Sequence, residues 1–168
     1  MKMDKKALSA LLLVLILVFG TLIANRLPGQ LDLTAGKAFT LSRGSESILS
    51  ELEEPVTLNF YFSRSLEGLP IRLKNYATRI EDLLRQYRAA ADGMVRLRVI
   101  DPRPDTEEES AALRAGMSAQ PVGGSNLFFG LEVLPADSTA VVPFFTFDRE
   151  SLLEYDISQL IFEVQQLE

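Results

Sequence analysis

The sequence predicts an α/β domain with a mixed sheet, preceded by one N-terminal transmembrane helix. Three observations carry this prediction. An uncharged apolar run extends from Ala7 to Ala24, and two later segments alternate apolar and polar residues as β-strands do. Around these segments, apolar residues recur at the spacing of an α-helix. Helical and extended elements therefore alternate along the chain, which is typical of three-layer α/β folds.

The apolar run Ala7–Ala24 is long enough to cross a bilayer. Its 18 residues, at about 1.5 Å each, nearly span a hydrocarbon core about 30 Å thick. Three lysines precede the run and only Arg26 follows it closely, so the positive-inside rule predicts a cytoplasmic N-terminus. A cleaved signal peptide is the alternative, but a cut after Ala24 would leave Leu22 where a small residue is wanted. We expect a single-pass protein of the inner (cytoplasmic) membrane, in contact with the lipid bilayer, with its soluble part periplasmic or extracellular.

The chain divides into three parts. Residues 1–24 form the cytoplasmic tip and the anchor, and residues 25–41 form a connector with room for a short edge strand. Residues 42–168 form the extracytoplasmic domain. Ser42 is suited to cap a first helix that ends before Pro55.

The domain continues with a strand, a helix, a second strand and a second helix. Residues 56–63 alternate apolar and polar side chains, a helix follows from Pro70 to Asp92-Gly93, and residues 95–99 alternate again. A crossover helix between two strands favours parallel pairing. Asp105 and Thr106 start a short helix that Gly116 ends.

A hairpin and a final helix complete the predicted domain. The hairpin arms are residues 127–134 and 140–147, and the apolar stripe of the helix runs from Leu153 to Leu167. The resulting order, β-α-β-α-β-β-α after one extra helix, is that of the thioredoxin-like fold. Because the chain has no cysteine, disulfide oxidoreductase chemistry is excluded.

Composition narrows the function classes. The net charge of −6 and the pI near 4.8 argue against nucleic acid, because Lys and Arg supply most of the affinity for phosphates. Neither Cys nor His is present, which removes thiol nucleophiles, imidazole bases and the usual zinc ligands. We therefore predict no cofactor, no metal and no catalytic residues.

The remaining polar candidates for chemistry are weak. Glu53-Glu54 and Glu107–Glu109 are the densest carboxylate clusters, but adjacent residues seldom converge on one cleft, and solvated helix ends explain them better. The serines at 63, 65 and 125 have no histidine to activate them. The stretch from Gly123 to Asn126 lacks a phosphate-binding pattern, and we interpret it as a flexible connector.

Two groups in the domain are candidate partner contacts. Arg96 and Arg98 project from the polar face of a strand, which is either a binding patch or a solvated sheet face. Phe128 and Phe129 belong to a set of aromatics that cannot all point to one side of a sheet. Core packing is the simpler explanation for the aromatics, and a covered partner surface is the alternative.

Several phrases of the sequence, taken in their order, resemble the GldG family. They are LDLTAGKAFTLS, LEEPVTLNFYFS, VIDP, NLFFGLEV and LLEYDISQLI, which begin at Leu31, Leu52, Val99, Asn126 and Leu152. This family comprises auxiliary extracytoplasmic subunits of ABC transporters first associated with gliding motility. The resemblance implies a non-catalytic subunit, with an ABC permease and a separate ATPase as partners, and it implies that these residues are the first part of a longer protein.

Under this interpretation the anchor is also a contact surface for the permease. Ser9, Gly20 and Thr21 are small residues that permit close helix approach. Two other functions remain open. One is a cell-surface glycan- or peptide-binding module that uses the loop 117–126 and nearby aromatics, and the other is a hydrolase based on carboxylates or on a Ser/Lys pair.

Overall fold

A mixed four-stranded sheet organises the part of the chain that the computed structural model describes, residues 40–135 and 138–166. The predicted anchor Ala7–Ala24 lies outside these residues, as does the connector up to residue 39. Among the described helices, none is both long and apolar enough to cross a membrane.

The helices and strands follow one another in nearly the predicted order. They are α1 (Arg43–Ser50), β1 (Val56–Phe62), α2 (Ile71–Ala90), β2 (Val95–Ile100), α3 (Glu107–Arg114), β3 (Gln120–Val122), β4 (Ser125–Leu127), β5 (Phe129–Leu134), β6 (Ala140–Val142), a 3₁₀ helix (Phe147–Leu152) and α4 (Leu153–Gln166). The prediction of an α/β domain with a mixed sheet is confirmed.

The main sheet has the strand order β2-β1-β5-β6. Strand β1 pairs in parallel with β2, as expected for two strands joined by a helix. On its other side β1 pairs antiparallel with β5, and β5 pairs antiparallel with β6. The carboxyl ends of β1 and β2 therefore lie side by side at one end of the sheet.

Two local predictions about the second half of the domain are wrong. The stretch Gly123–Asn126 is not a flexible connector, because Gly123 and Gly124 form a turn, and Ser125 and Asn126 belong to β4, which pairs with β3 in a short antiparallel hairpin. Gly123 and Gly124 both have positive φ angles, 59° and 84°, which a tight two-residue turn requires and which glycine adopts without strain. The second arm of the later hairpin ends at Val142 instead of residue 147, because Pro143 has no N–H to donate.

Helices lie on both faces of the main sheet. One face packs against α1, α2 and α4 in the principal core, whose fully buried members include Phe60, Ile80 and Ile157. The other face carries a smaller cluster, in which Ala112 of α3 packs with Tyr61 and Phe128. Because α3 has only eight residues, much of this second face has no helix of the described residues on it.

A buried polar network joins the three helices of the first face. The hydroxyl of Tyr87 donates to the carbonyl oxygen of Glu154 (2.9 Å) and lies 2.5 Å from Ser158 Oγ. Ser158 Oγ donates to Ser45 Oγ (2.8 Å), which donates to Glu154 Oε1 (2.6 Å). The same carboxylate oxygen accepts the N–H of Ser42 (2.6 Å) at the start of α1, so the network ties α1 to α2 and α4.

Candidate functional site

A concave site lies at the carboxyl ends of β1 and β2, where ligands of open α/β sheets usually bind. We call it the β1–β2 cleft. It holds about 360 Å³. Its polar lining comes from the loop after β1, the loop after β2 and the β3–β4 hairpin: Ser63, Ser65, Glu67, Arg103, Ser125 and Asn126.

The loop after β1 is fixed to its neighbours by two sets of hydrogen bonds. The N–H of Ser63 donates to the carbonyl oxygen of Phe128 (3.1 Å), and the N–H of Phe128 donates to Ser63 Oγ (3.1 Å). The N–H of Ser65 donates to Asp101 Oδ1 (3.2 Å), and its hydroxyl donates to the other oxygen of that carboxylate. Asp101 follows β2 directly, so these bonds hold the two strand ends together and shape the cleft.

The opposite rim of the cleft is formed by the β3–β4 hairpin. Asn126 donates from Nδ2 to Glu109 Oε1 (2.9 Å), which ties the hairpin to α3. Arg103 and Asn126 are exposed, and Val122 is half-buried. The rim therefore combines a guanidinium, hydroxyl and amide groups with a small apolar surface, which is suited to a polar ligand or an extended chain.

A second polar cluster lies on the sheet face that packs against α3. Glu132 Oε2 accepts hydrogen bonds from Asn59 Nδ2 (2.7 Å) and from the Tyr61 hydroxyl (3.1 Å). All three side chains are buried. Burial first, and then the charge and hydrogen bond of Glu132, raise the pKa of Tyr61 to about 12. Among the described residues, the buried Oδ1 of Asn59 has no hydrogen-bond partner.

The predicted contact residues fall into three groups. Ser9, Gly20 and Thr21 lie outside the described residues. Arg96 and Arg98 are exposed on the second face of the sheet, and Arg98 is the register neighbour of Asn59. The structure does not bring these two arginines to the β1–β2 cleft, whose lining includes neither of them.

Phe128 and Phe129 are core residues. Both rings are fully buried, and they belong to different hydrophobic clusters on opposite faces of the sheet. The argument that adjacent aromatics cannot share one side is therefore confirmed. Their burial follows from packing within this domain, so neither ring is offered on its surface as a partner contact.

The carboxylates considered for hydrolysis lie apart in two regions of the domain. Glu53 and Glu54 are exposed beside the end of α4, whereas Glu107 pairs with Arg114 at the ends of α3. Lys74, the one lysine among the described residues, lines a separate pocket that contains none of the serines of the β1–β2 cleft.

Sequence reasoning missed the partners that complete these sites. Asp101 entered the sequence analysis only as part of the phrase VIDP, and Glu132 had no assigned role. The phrase NLFFGLEV places one acidic residue within an apolar strand. A buried carboxylate needs a hydrogen-bond partner inside the protein, so this pattern could have predicted one for Glu132.

Comparison with known proteins gives one match. The model of a family described as "Domain of unknown function (DUF7088)" matches residues 35–133, which include every residue of the β1–β2 cleft. No curated protein and no solved structure matches the chain. Because the match covers more than half of the 168 residues, the chain belongs to the DUF7088 family.

Proposed function

We propose that this chain is a non-catalytic, membrane-anchored auxiliary subunit of an ABC-type transporter, and that its domain contacts a partner or substrate at the β1–β2 cleft. The subunit role rests on the resemblance to the GldG family. The contact site rests on one observation, an open cleft of about 360 Å³ at the carboxyl ends of two adjacent parallel strands, the usual ligand position in such sheets.

The sequence segments that resemble the GldG family contact one another in the fold, which supports this assignment. Ser42, at the end of LDLTAGKAFTLS, is hydrogen-bonded to Glu154 of LLEYDISQLI. Ser63, at the end of LEEPVTLNFYFS, accepts a hydrogen bond from the N–H of Phe128 in NLFFGLEV. The phrases that carry the resemblance thus hold the domain together, and VIDP contributes the Asp101 that shapes the cleft.

We also propose that the fold is thioredoxin-like. In support, β1 and β2 are parallel and joined by α2, the next two main-sheet strands form an antiparallel hairpin, and α4 packs on the same face as α2. Helix α3 lies on the opposite face. In this arrangement the β1–β2 cleft lies where the first strand passes into its helix, so the loop 63–70 forms one wall.

The transporter role is tested by co-purification. The chain, tagged at its C-terminus in its native host, is extracted in mild detergent, and the extract is searched for an ABC permease and an ATPase that co-purify with it. We expect both subunits in stoichiometric amounts. Recovery of the chain alone, from extracts in which other ABC complexes survive, would overturn the proposal.

The cleft is tested within the same complex. Arg103→Ala with Asn126→Ala should weaken the complex or its substrate response, because both exposed groups lie on the rim. Arg88→Ala with Arg43→Ala is the matched control, since both residues are exposed and neither lines the cleft. Equal behaviour of the two double variants would exclude the cleft.

The role of the anchor is a separate question. We propose that Ser9, Gly20 and Thr21 contact the permease, because small residues allow close helix packing. Replacing all three with Leu should preserve membrane insertion and lower co-purification. Unchanged co-purification would limit the segment to anchoring.

The proposed topology is tested by labelling, because the natural chain has no cysteine. Arg88→Cys should react with a membrane-impermeant maleimide added outside the inner membrane, since residue 88 is exposed. Lys2→Cys should react only after the membrane is opened. The reverse pattern would place the domain in the cytoplasm.

The alternative function, a surface glycan- or peptide-binding module, is favoured by the polar rim of the same cleft and by the hairpin within loop 117–126 that forms one wall. It predicts that the purified chain binds glycans or peptides without transporter subunits. Loss of that binding in the Arg103/Asn126 variant, together with absence of the permease complex, would favour the alternative.

A further inference from the structure

We propose that the outer edge of β2 is an interaction surface that takes an extended segment of a partner protein in which acidic and apolar residues alternate. We call this surface the β2 edge and define it by Arg96, Leu97, Arg98 and Val99. It is distinct from the β1–β2 cleft, and it uses the two arginines that the cleft leaves out.

The β2 edge is open for strand addition among the described strands. Strand β2 pairs with β1 on one side, and no described strand lies on its other side. Its six residues pair with β1 in continuous register, and they include neither proline nor glycine. Edges of this kind expose unpaired N–H and C=O groups, which an extended chain can take up as an extra strand.

The side chains of β2 specify what an added strand should carry. One face of β2 carries Val95, Leu97 and Val99 and points toward the principal core. The exposure of these side chains increases along the strand, from 2% at Val95 to 37% at Val99. An apolar residue of an added strand would cover Val99. On the opposite face Arg96 and Arg98 are exposed, and an acidic residue beside each would be complementary in charge.

The spacing of the two arginines fits a single strand. Residues two apart on one face of a strand lie about 6.6 Å from each other, and neighbouring strands lie about 4.8 Å apart. Acidic residues at alternate positions of an added strand would therefore lie beside Arg96 and Arg98 in turn. None of the ion pairs between described residues uses either arginine, so within that part of the chain neither guanidinium group is taken up by a carboxylate.

The test measures binding of a short fluorescent peptide, with alternating glutamate and valine, to the full chain in detergent. We expect saturable binding that weakens with added salt. Arg96→Glu with Arg98→Glu should raise Kd by about tenfold or more, because two attractive pairs become repulsive. The matched charge control is Arg43→Glu with Arg88→Glu, which should leave Kd within about twofold.

Two N-methylated peptides separate strand addition from simple charge attraction. One is methylated at its glutamates and the other at its valines. A strand paired along one edge uses the N–H groups of only one of these sets, so one peptide should bind and the other should not. Equal binding of both peptides would overturn the proposal even if the charge-reversed variant bound weakly.

A neutral variant addresses the opposite role for the same arginines, which is to keep the edge from pairing with other copies. Under our proposal, Arg96→Thr with Arg98→Thr weakens peptide binding and leaves the chain in its original oligomeric state. If this variant self-associates while the parent chain binds no alternating peptide, the arginines protect the edge and the proposal fails.

Discussion

The buried hydroxyl of Tyr87 offers the clearest test of how the three helices on the first face are held together. Its side chain is fully buried, and the hydroxyl contacts the carbonyl of Glu154 and the hydroxyls of Ser158 and Ser45 at 2.9, 2.5 and 3.4 Å. Replacing Tyr87 with Phe removes this hydroxyl and leaves the ring.

The expected loss of stability depends on the hydrogen bonds that the neighbouring groups keep in the variant. Ser158 Oγ still donates to Ser45 Oγ, and Ser45 Oγ still donates to the Glu154 carboxylate. No group of the network is left wholly unpaired, so the loss should lie toward the lower part of the range for a buried hydrogen-bonding group. We expect Tyr87→Phe to lower the free energy of unfolding by about 1–2 kcal/mol.

The measurement is urea-induced unfolding of the full chain in detergent, followed by far-UV circular dichroism. For a typical urea dependence this loss lowers the midpoint by roughly 0.5–1.5 M. Tyr155→Phe is the matched control, because Tyr155 is 63% exposed and should change the midpoint little. A double-mutant cycle with Ser158→Ala should give a coupling energy of about 0.5–1.5 kcal/mol.

Two results would refute this reasoning. One is a midpoint for Tyr87→Phe equal to that of Tyr155→Phe. The other is a coupling energy of zero between Tyr87 and Ser158, which would mean that the 2.5 Å contact contributes nothing to stability.

Three further predictions follow from other parts of the domain. Gly130→Ala should cost about 3 kcal/mol or more, because its Cβ would lie 2.6 Å from the Val142 carbonyl oxygen and 2.9 Å from that of Pro143; a normal urea midpoint would contradict this. Partial burial raises the pKa of Glu154, but hydrogen bonds from Ser45 and Ser42 outweigh it and hold the net pKa below its usual value. Stability should therefore fall as pH drops from the unfolded pKa of about 4.3 through the lower folded pKa, and Glu154→Gln should flatten this slope. Burial and the Glu132 charge raise the pKa of Tyr61 to about 12, so stability should fall between about pH 10 and 12, less steeply in Tyr61→Phe.

The two proposed contact surfaces use different parts of one sheet. The β1–β2 cleft lies at the carboxyl ends of the parallel strands, whereas the β2 edge runs along the outermost strand. A domain with two such surfaces has room for two partners at once. The double variants at Arg103/Asn126 and at Arg96/Arg98 allow each contact to be removed separately.

The sequence by itself determined the elements whose signals are local. The alternation in Val56–Phe62 reflects a strand that turns Phe60 to the principal core and Tyr61 to the smaller cluster on the opposite face. The side chain of Thr106 caps α3 through the N–H of Glu109, only three residues away. The parallel pairing of β1 and β2 could also be predicted from the sequence, because two strands joined by a helix have few other ways to pair. The glycine pair at 123 and 124 was a hairpin signal of the same local kind, and it was misinterpreted.

Only the tertiary structure decided which strands become neighbours, because strand order depends on burial summed over the whole domain. It placed β5 next to β1, which brings Glu132 to Asn59 and Tyr61 across more than 70 positions of sequence. It also put β2 at an edge of the sheet that the described strands form, with Arg98 exposed. The same alternation of apolar and polar residues would also be expected in a central strand. The sequence could therefore propose these arginines as contacts, but it could not predict that they lie along an edge of the described sheet.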